Sequence, residues 1–587
     1  MAIIPFVGQA YNLSPARQLD AQNCINWYLT MDSTGKAPTA LLPRPALELW
    51  ADDNSNYVNR GAIVLNDQLY CAVDDKFYIY DFNGGRTEKG TLNTSSGLVS
   101  MLANDNQIFI SDAQYGYVYQ IYKDEYHEAD EFFVISEASS LIGRATFTGS
   151  GLNDMTSGGE YTGTTNKKYR IVIEVSATPD TFKWSDDGGE TFVDTNVPIT
   201  GSAQTLNDGV QVTFVHTTGH TAIDYWEFDV TIDSAFYVPI KPTYDDNRGI
   251  YAKQNSGVWY ISEINQFDQV NALDFAGAEY FPDDLVASLT IKEEVWLLGN
   301  VTSEPWFDVG AQPFPYQRRT SLIQNYGCAA AFSAVVTHNF IGIWLAQNRE
   351  GARVVVGLID YELQILSTEP INNEFRNYER VDDAIGSTYQ YNGHIFYVLT
   401  FPTADRTWVY DLSTKSWHEY RCTLQNELPS GSPTRQGRFK ANWILHFNEN
   451  ILCGDFESGK IYKLSDDIFT DNGQIIVFER TAPHIADKNL LGRIEINGLQ
   501  IDIERGKGLV TGQGTEPAYM LQISRDGGYT WGNEKWKSGG TSGKYRKRLC
   551  WHNFGTSRSW TFKLRVTDFV YRTVYSAVAY IGQEVVE

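Results

Sequence analysis

Cysteine, histidine and methionine are scarce in this 587-residue chain, with six, nine and five copies. The cysteines (Cys24, Cys71, Cys328, Cys422, Cys453, Cys550) lie far apart, with no C-x-x-C and no histidine pair at zinc spacing. That excludes a readable structural metal site and a dense disulfide frame, and predicts reduced thiols. Long apolar runs are missing too. Nowhere do about 18 apolar residues follow one another, and MAIIPFVGQAYNLSPAR at the N-terminus has no basic region before its short apolar stretch, so neither a membrane span nor a standard export signal is expected. Positive charge is short: 47 Lys and Arg stand against 72 Asp and Glu, a net charge of −25, which argues against a clamp on nucleic acid.

Two weak motifs fail on inspection. SGGTSGKY (538–545) has its first glycine one place late for a phosphate loop, and Tyr545 stands where the magnesium-binding Ser or Thr belongs, so no nucleotide cofactor is expected. His216 and His220 in VHTTGH form the closest histidine pair, in a predicted loop without a matching carboxylate set, and read as a surface pair.

Aromatic residues are plentiful: 35 Tyr, 30 Phe and 15 Trp make up 14% of the chain, and its 49 glycines punctuate short apolar runs. This composition favours strands and tight turns. A repeat organises them. GAIVLNDQLYCAVDDKFYIYDFNGG (61–85) and VSMLANDNQIFISDAQYGYVYQIYKDE (99–125) share an apolar run, an Asn, a second apolar run, a turn and a strand ending in Tyr; 385–412 and 442–464 repeat the order. The anchors Asn66/Tyr80, Asn104/Tyr119, Asn392/Tyr410 and Asn448/Tyr462 keep a spacing that suits a hairpin with one variable turn. Looser units at 248–275, 285–307 and 330–358 bring the count to about seven, which predicts an all-β propeller; a row of separate sandwiches is the alternative, and six or eight blades are alternative counts.

The expected organisation has an N-terminal extended segment (1–60) packing on or closing the propeller, and blades over 61–140 and 236–470. Between them, 141–235 opens with Gly- and Thr-rich sequence and continues with alternating strands such as YRIVIEV (169–175) and YWEFDVTI (225–232), the pattern of an inserted β-sandwich. After the polar SDDIFTDNG (465–473), a C-terminal β-domain covers 471–587, with strands near 491–504, 519–524, 560–567 and 574–581.

Two segments have the spacing Ser-x-Asp-x-Gly-x-Thr: SDDGGETF with Ser185, Asp187, Gly189 and Thr191, and SRDGGYTW with Ser524, Asp526, Gly528, Thr530 and Trp531. This is the Asp box of sialidases and related propellers. Asp526 can accept hydrogen bonds from the turn, Gly528 permits a backbone shape costly for other residues, and Trp531 can cover the hairpin. Both boxes fall outside the repeat, which favours structural turns over glycan binding, and glycan binding over hydrolysis, since a glycosidase needs converging acid and nucleophile. The expectation is therefore no enzyme and no catalytic residue. KYRKRL (544–549), contributing Lys544, Arg546, Lys547 and Arg548, is with Arg558, Lys563 and Arg565 the one concentrated basic patch; read as part of a strand, it suits a subunit interface with an acidic neighbour better than a phosphate contact.

DAQNCINWY (20–28), GKAP (35–38) and LLPRPALELW (41–50), followed by GVWYIS (257–262), DDLVASLTIKEEVWLLGNVTSEPWF (283–307), NYGCAAAFSAV (325–335) and WTFKLRVTD (560–568), resemble in order and spacing the packaged-DNA stabilisation proteins that form the tail hub, or nozzle, of short-tailed double-stranded-DNA phages. One departure is PAL at 45–47, where that family often has Pro-Gly-Leu; another is the 141–235 insert, which resembles accessory β-modules of tail proteins. The resemblance implies a virion subunit that assembles as a homo-hexameric ring below the portal and its adaptor ring. It further implies that the ring continues the DNA channel, with double-stranded DNA passing transiently through its lumen, retains the genome until ejection and supports tail fibres or tailspikes. A glycan-binding adhesin and a sialidase-like hydrolase are the rival readings.

Overall fold

The computed structural model describes residues 2–582 apart from 9–10, 18, 32–36, 53–56, 136–140, 160, 164, 232–235, 272–273, 279–280, 313, 425–434 and 487–491. Gly35 and Lys36 of the GKAP stretch and the last residues of the expected insert thus lie outside the described residues. The fold is almost entirely β, a propeller with a C-terminal β-sandwich.

Seven small antiparallel sheets follow one another among the described residues, with first strands Asn59–Leu65, Ser100–Ala103, Thr243–Asp245, Leu285–Ile291, Val335–Val336, Ile385–Tyr391 and Ala441–Phe447. Each of these packs against the first strand of the sheet before and the sheet after it, and the last packs against the first, so they line a closed ring. The seventh sheet takes its outer strand from the other end of the chain. Ala46–Ala51 pairs antiparallel with Ile461–Ser465, placing Leu47 opposite Leu464 and Leu49 opposite Tyr462. Ring closure is therefore a strand pairing, and Leu47 is fully buried in it.

The repeated asparagines owe their place to backbone sterics. Asn66-Asp67 (φ +49° and +55°), Asn392-Gly393 (+49° and +80°) and Asn448-Glu449 (+44° and +63°) are two-residue turns joining the first and second strands of their sheets. Left-handed φ at both positions matches the twist of the flanking strands, and Asn and Gly tolerate it best. Asp246-Asn247 and Lys292-Glu293 make the same turn in the looser units. Asn104 works differently: its Oδ1 accepts the backbone N–H groups of Asn106 and Gln107 at 2.8 and 2.6 Å, closing a longer turn. The tyrosines that end each repeat lie on third strands and are buried; the rings of Tyr119 and Tyr70, from adjacent sheets, sit 5.9 Å apart.

Among the described residues one α-helix interrupts the β pattern. Glu369–Asn377 connects the fifth and sixth sheets, begins with a proline in its first turn, and buries Ile371 and Phe375 against the propeller.

The insert holds two sheets whose strands Lys167–Val175, Val210–Phe214 and Tyr225–Thr231 alternate buried and half-exposed residues, as a two-layer sandwich requires. The C-terminal sandwich is built from both ends of the chain. One layer orders Trp27–Met31, Thr39–Pro43, Val574–Ile581, Ile494–Ile503 and Leu549–Ser557, with Ala2–Ile4 also on Val574–Ile581. The other runs Ala21–Ile25, Phe478–Thr481, Ser559–Val566, Ala518–Ser524 and Lys535–Ser538. Ile25 also lies parallel to Glu419, so this second layer is continuous with the sixth propeller sheet. Ala46–Ala51 thus pairs into the propeller, while Ala2–Ile4, Ala21–Ile25, Trp27–Met31 and Thr39–Pro43 pair into the sandwich, whose core surrounds Trp27, Trp560, Phe562 and Leu499.

The structure corrects the expectation of a strand through KYRKRL: residues 544–548 form an exposed loop, and the strand begins at Leu549. All six cysteines are free thiols, five of them buried. Among the described residues no helix is long and apolar enough to cross a membrane.

Candidate functional sites

Both Asp boxes close hairpins with one hydrogen-bond pattern. At the end of strand Ala518–Ser524, the Ser524 hydroxyl donates to Asp526 Oδ1 (2.6 Å) and accepts the Gly528 N–H (2.8 Å), while Asp526 accepts the Thr530 N–H (3.0 Å) and its hydroxyl (2.5 Å). In the insert, Ser185 donates to Asp187 (2.5 Å) and accepts the Gly189 N–H (2.8 Å), and Asp187 accepts the Thr191 N–H (2.9 Å) and hydroxyl (2.5 Å). Gly189 and Gly528 sit at φ +98° and +89°. The Ser524 and Thr530 hydroxyls hold the Asp526 carboxyl down at about 2, and Ser185 and Thr191 hold Asp187 well below the usual carboxylate range. Trp531 is half-buried beside Gly528 under the Lys563 ammonium, which lies 4.1 Å from its ring centre. The carboxylate valences of both boxes are turned into their own turns. The two boxes lie in different sheets, one in the insert and one in the C-terminal sandwich.

The basic residues split into two sets. Lys563 and Arg565 lie on strand Ser559–Val566 and are neutralised by Glu479, at 3.8 and 2.9 Å, with Glu534 3.2 Å from Arg565. Arg558 follows the opposite end of strand Leu549–Ser557 from the loop. Lys544, Arg546, Lys547 and Arg548 are exposed and form no ion pair among the described residues. Their loop folds back on Gly540 (φ +93°), where an added Cβ would meet Lys547 Cβ at 3.2 Å and Lys544 Cβ at 3.5 Å. Motif reading overlooked that Lys535, Trp536 and Lys537 on the adjoining edge strand extend this patch; the alternating basic residues of KWK were its only sequence signal.

The histidine pair needs correction. His220 is buried, with Nδ1 2.9 Å from Asp180 Oδ2 and Nε2 2.9 Å from Asp154 Oδ1, and the exposed His216 also meets Asp154 at 3.0 Å. The carboxylates that sequence spacing did not supply come from residues 40 and 66 positions away. Burial works to raise both carboxyls, and hydrogen bonds from the His220 ring and nearby backbone N–H groups outweigh it, leaving both below the usual range. Among the described residues no group of three or more His, Cys, Asp or Glu side chains is arranged to hold a metal ion.

Negative charge collects at the turns that join first and second strands. Asp67, Asp105, Asp246 and Glu293, one from each of the first four sheets, are exposed there and form no ion pair among the described residues. Because the first strands of consecutive sheets pack side by side, these turns line part of one mouth of the propeller. Burial, followed by repulsion from Asp308 and Glu293, raises the Asp246 carboxyl above its ordinary range.

Comparison with protein families separates the same two parts. The beta-propeller model of Bacteriophage P22 Gp10 matches residues 190–469, and the beta-sandwich model of Bacteriophage P22 Gp10 matches residues 478–582. The chain belongs to the Bacteriophage P22 Gp10 family. It is a structural protein of the phage tail hub, and so a virion component. The Gp10 propeller match begins inside the insert, so the first two sheets of the ring are assigned by the structure alone. No curated protein matches the chain. Among solved structures it is similar to the computationally designed Ika8 protein (12% identity over 71% of this chain and 99% of that one, TM-score 0.30) and to Kluyveromyces lactis Hsv2 (8% identity, 62% and 97%, TM-score 0.24). A puromycin-hydrolyzing peptidase of Mycobacterium tuberculosis follows with 9% identity, 67% and 57% coverage and a TM-score of 0.25. Scores this low carry no argument about the Gp10-family chain.

Proposed function

We propose that this Gp10-family chain is the ring-forming unit of the tail nozzle: six copies close below the portal and its adaptor ring, continue the DNA channel, hold the packaged genome until ejection and carry tail fibres or tailspikes at the side. The observation that supports this reading most is the pairing of two family matches, one to the propeller and one to the sandwich of the same tail hub protein, on two parts joined in one continuous sheet. A subunit stiffened in that way suits head-to-tail closure, in which identical contacts repeat until the rotation completes. The net charge of −25 per copy suits a passage that must release DNA, because repelled phosphates do not stick to the wall. Screening limits that repulsion to roughly 8 Å at physiological salt, so only lumen-facing carboxylates contribute. Assembly takes place in the host cytoplasm on this reading, and the Asp boxes serve as hairpin clasps with no part in sugar cleavage.

Electron microscopy of the purified chain, alone and with its adaptor ring, tests the proposal. Closed six-fold rings are expected; a chain that stays monomeric even with the adaptor overturns it. Turnover of a fluorogenic sialoside, which this reading does not expect, would move the chain to the hydrolase class.

A further inference from the structure

The strongest uncommitted surface on the molecule is the edge of the C-terminal sandwich. Residues 535–548 hold six Lys and Arg and no Asp or Glu, within a chain that is otherwise strongly acidic. None of the six finds a carboxylate among the described residues, whereas the neighbouring Lys563 and Arg565 do. Trp536 and Tyr545 stand in the same stretch, 63% and 67% exposed. Exposed Trp, Tyr and Arg together are the composition of an interface centre that is dry only when a partner covers it. The loop is held in shape: Gly540 and Gly506 take positive φ and leave no room for side chains beneath Lys547 and the Tyr545 ring.

A surface of the opposite sign lies on the same chain, far from this edge in the topology. The turns carrying Asp67, Asp105, Asp246 and Glu293 belong to the first four sheets, while the sandwich is joined to the sixth and seventh through Ala21–Ile25 and Ala46–Ala51. Crowded, unpaired carboxylates gain most from a partner that brings cations, and like-charged surfaces would keep copies apart in any other pairing.

We infer that the basic, aromatic edge formed by Lys535–Ser538 and the 541–548 loop docks on the acidic turn face of the propeller of a second copy of this chain. This rests on the ring reading above and specifies its contact. Because the two faces are different patches, the contact is head-to-tail and propagates around a ring. DNA is the competing partner for a cationic edge. The acidity of the whole subunit opposes it, and the exposed Trp536 and Tyr545 suit a protein face.

The experiment compares, by mass photometry and electron microscopy of the full chain with its adaptor ring, the wild type, Lys547→Glu/Arg548→Glu, Asp246→Lys/Glu293→Lys, and the four reversals combined. All substituted side chains are exposed, and thermal melts check that each variant folds. Each two-site reversal should weaken ring formation by about tenfold or more, and the combined variant, with its signs exchanged, should restore it. Wild-type rings indifferent to both reversals, or a combined variant that stays dispersed, overturn the inference while leaving the hub reading in place. Intact rings with lost affinity for a duplex probe assign the edge to DNA and overturn it as well. A wild type that never assembles overturns the hub reading together with this inference.

Discussion

Arg44 and Asp471, 427 residues apart in the chain, meet in a buried two-bond ion pair: Nη2 to Oδ2 at 2.5 Å and Nη1 to Oδ1 at 3.1 Å, with neither side chain more than 1% exposed. Arg44 also donates to Asn26 Oδ1 and to the Pro45 and Arg421 carbonyls, and Asp471 also accepts the Leu47 N–H. One node thus joins the N-terminal strands, the exit of the sixth sheet and the linker into the sandwich. It fixes the sandwich on the propeller.

Asp471→Ala removes one member of this node and strands a guanidinium in the interior. A loss of about 3–5 kcal/mol is expected, because an uncompensated buried charge is far worse than no charge. Replacing both residues by apolar ones of similar volume should recover much of the loss. Urea unfolding of the three proteins checks this; a loss no larger than that of a surface substitution contradicts the assignment.

Leu47→Ala opens a gap where the outer strand of the seventh sheet closes the ring, and should cost about 2–5 kcal/mol as a core truncation. Deleting residues 1–51 removes that strand and five from the sandwich sheets, so an aggregated or unfolded product is expected on expression. A soluble deletion product with a native near-ultraviolet circular dichroism spectrum would show that the N-terminal strands are dispensable.

Gly528→Ala tests the C-terminal Asp box as a clasp. At φ +89° the new Cβ is strained, and it meets Ala21 Cβ at 3.1 Å, so a destabilisation of about 1–3 kcal/mol is expected. A neutral result in thermal melts would mean that the box tolerates reshaping and pins nothing.

Acid should weaken the insert through Asp154 and Asp180. Their folded pKa values are depressed, so their contribution is complete above the unfolded carboxylate value near ~4 and is lost as pH falls through the lower folded values. His220→Ala removes the ring that depresses both. In calorimetry of the full chain, the gap between wild type and variant that comes from these carboxylates should close on going from pH 5 to about pH 2. A gap that widens in acid contradicts the sign.

Local features of the fold were legible because they follow from single residues. Asn66, Asn392 and Asn448 mark left-handed turns that few side chains accept, and the buried tyrosines that follow are large enough to leave a trace at every repeat. The alternation in Lys167–Val175 and Tyr225–Thr231 likewise reports one buried face. Pairings across the chain were not legible. Ala46–Ala51 on Ile461–Ser465 and Thr39–Pro43 on Val574–Ile581 join segments whose local patterns suit any neighbour. The basic loop was misread as a strand because its charge pattern says nothing about the positive-φ glycines Gly540 and Gly543 that fold it back. The carboxylates around His220 escaped notice because the sandwich, and no sequence spacing, brings Asp154 and Asp180 together.

The most direct test of an architectural role is a cryo-electron microscopy image of the phage particle with this chain labelled. The label should appear as six copies around the tail axis, between the adaptor ring and the distal tip, with DNA density running between them. A label absent from the particle, or confined to the ends of the fibres, contradicts the account.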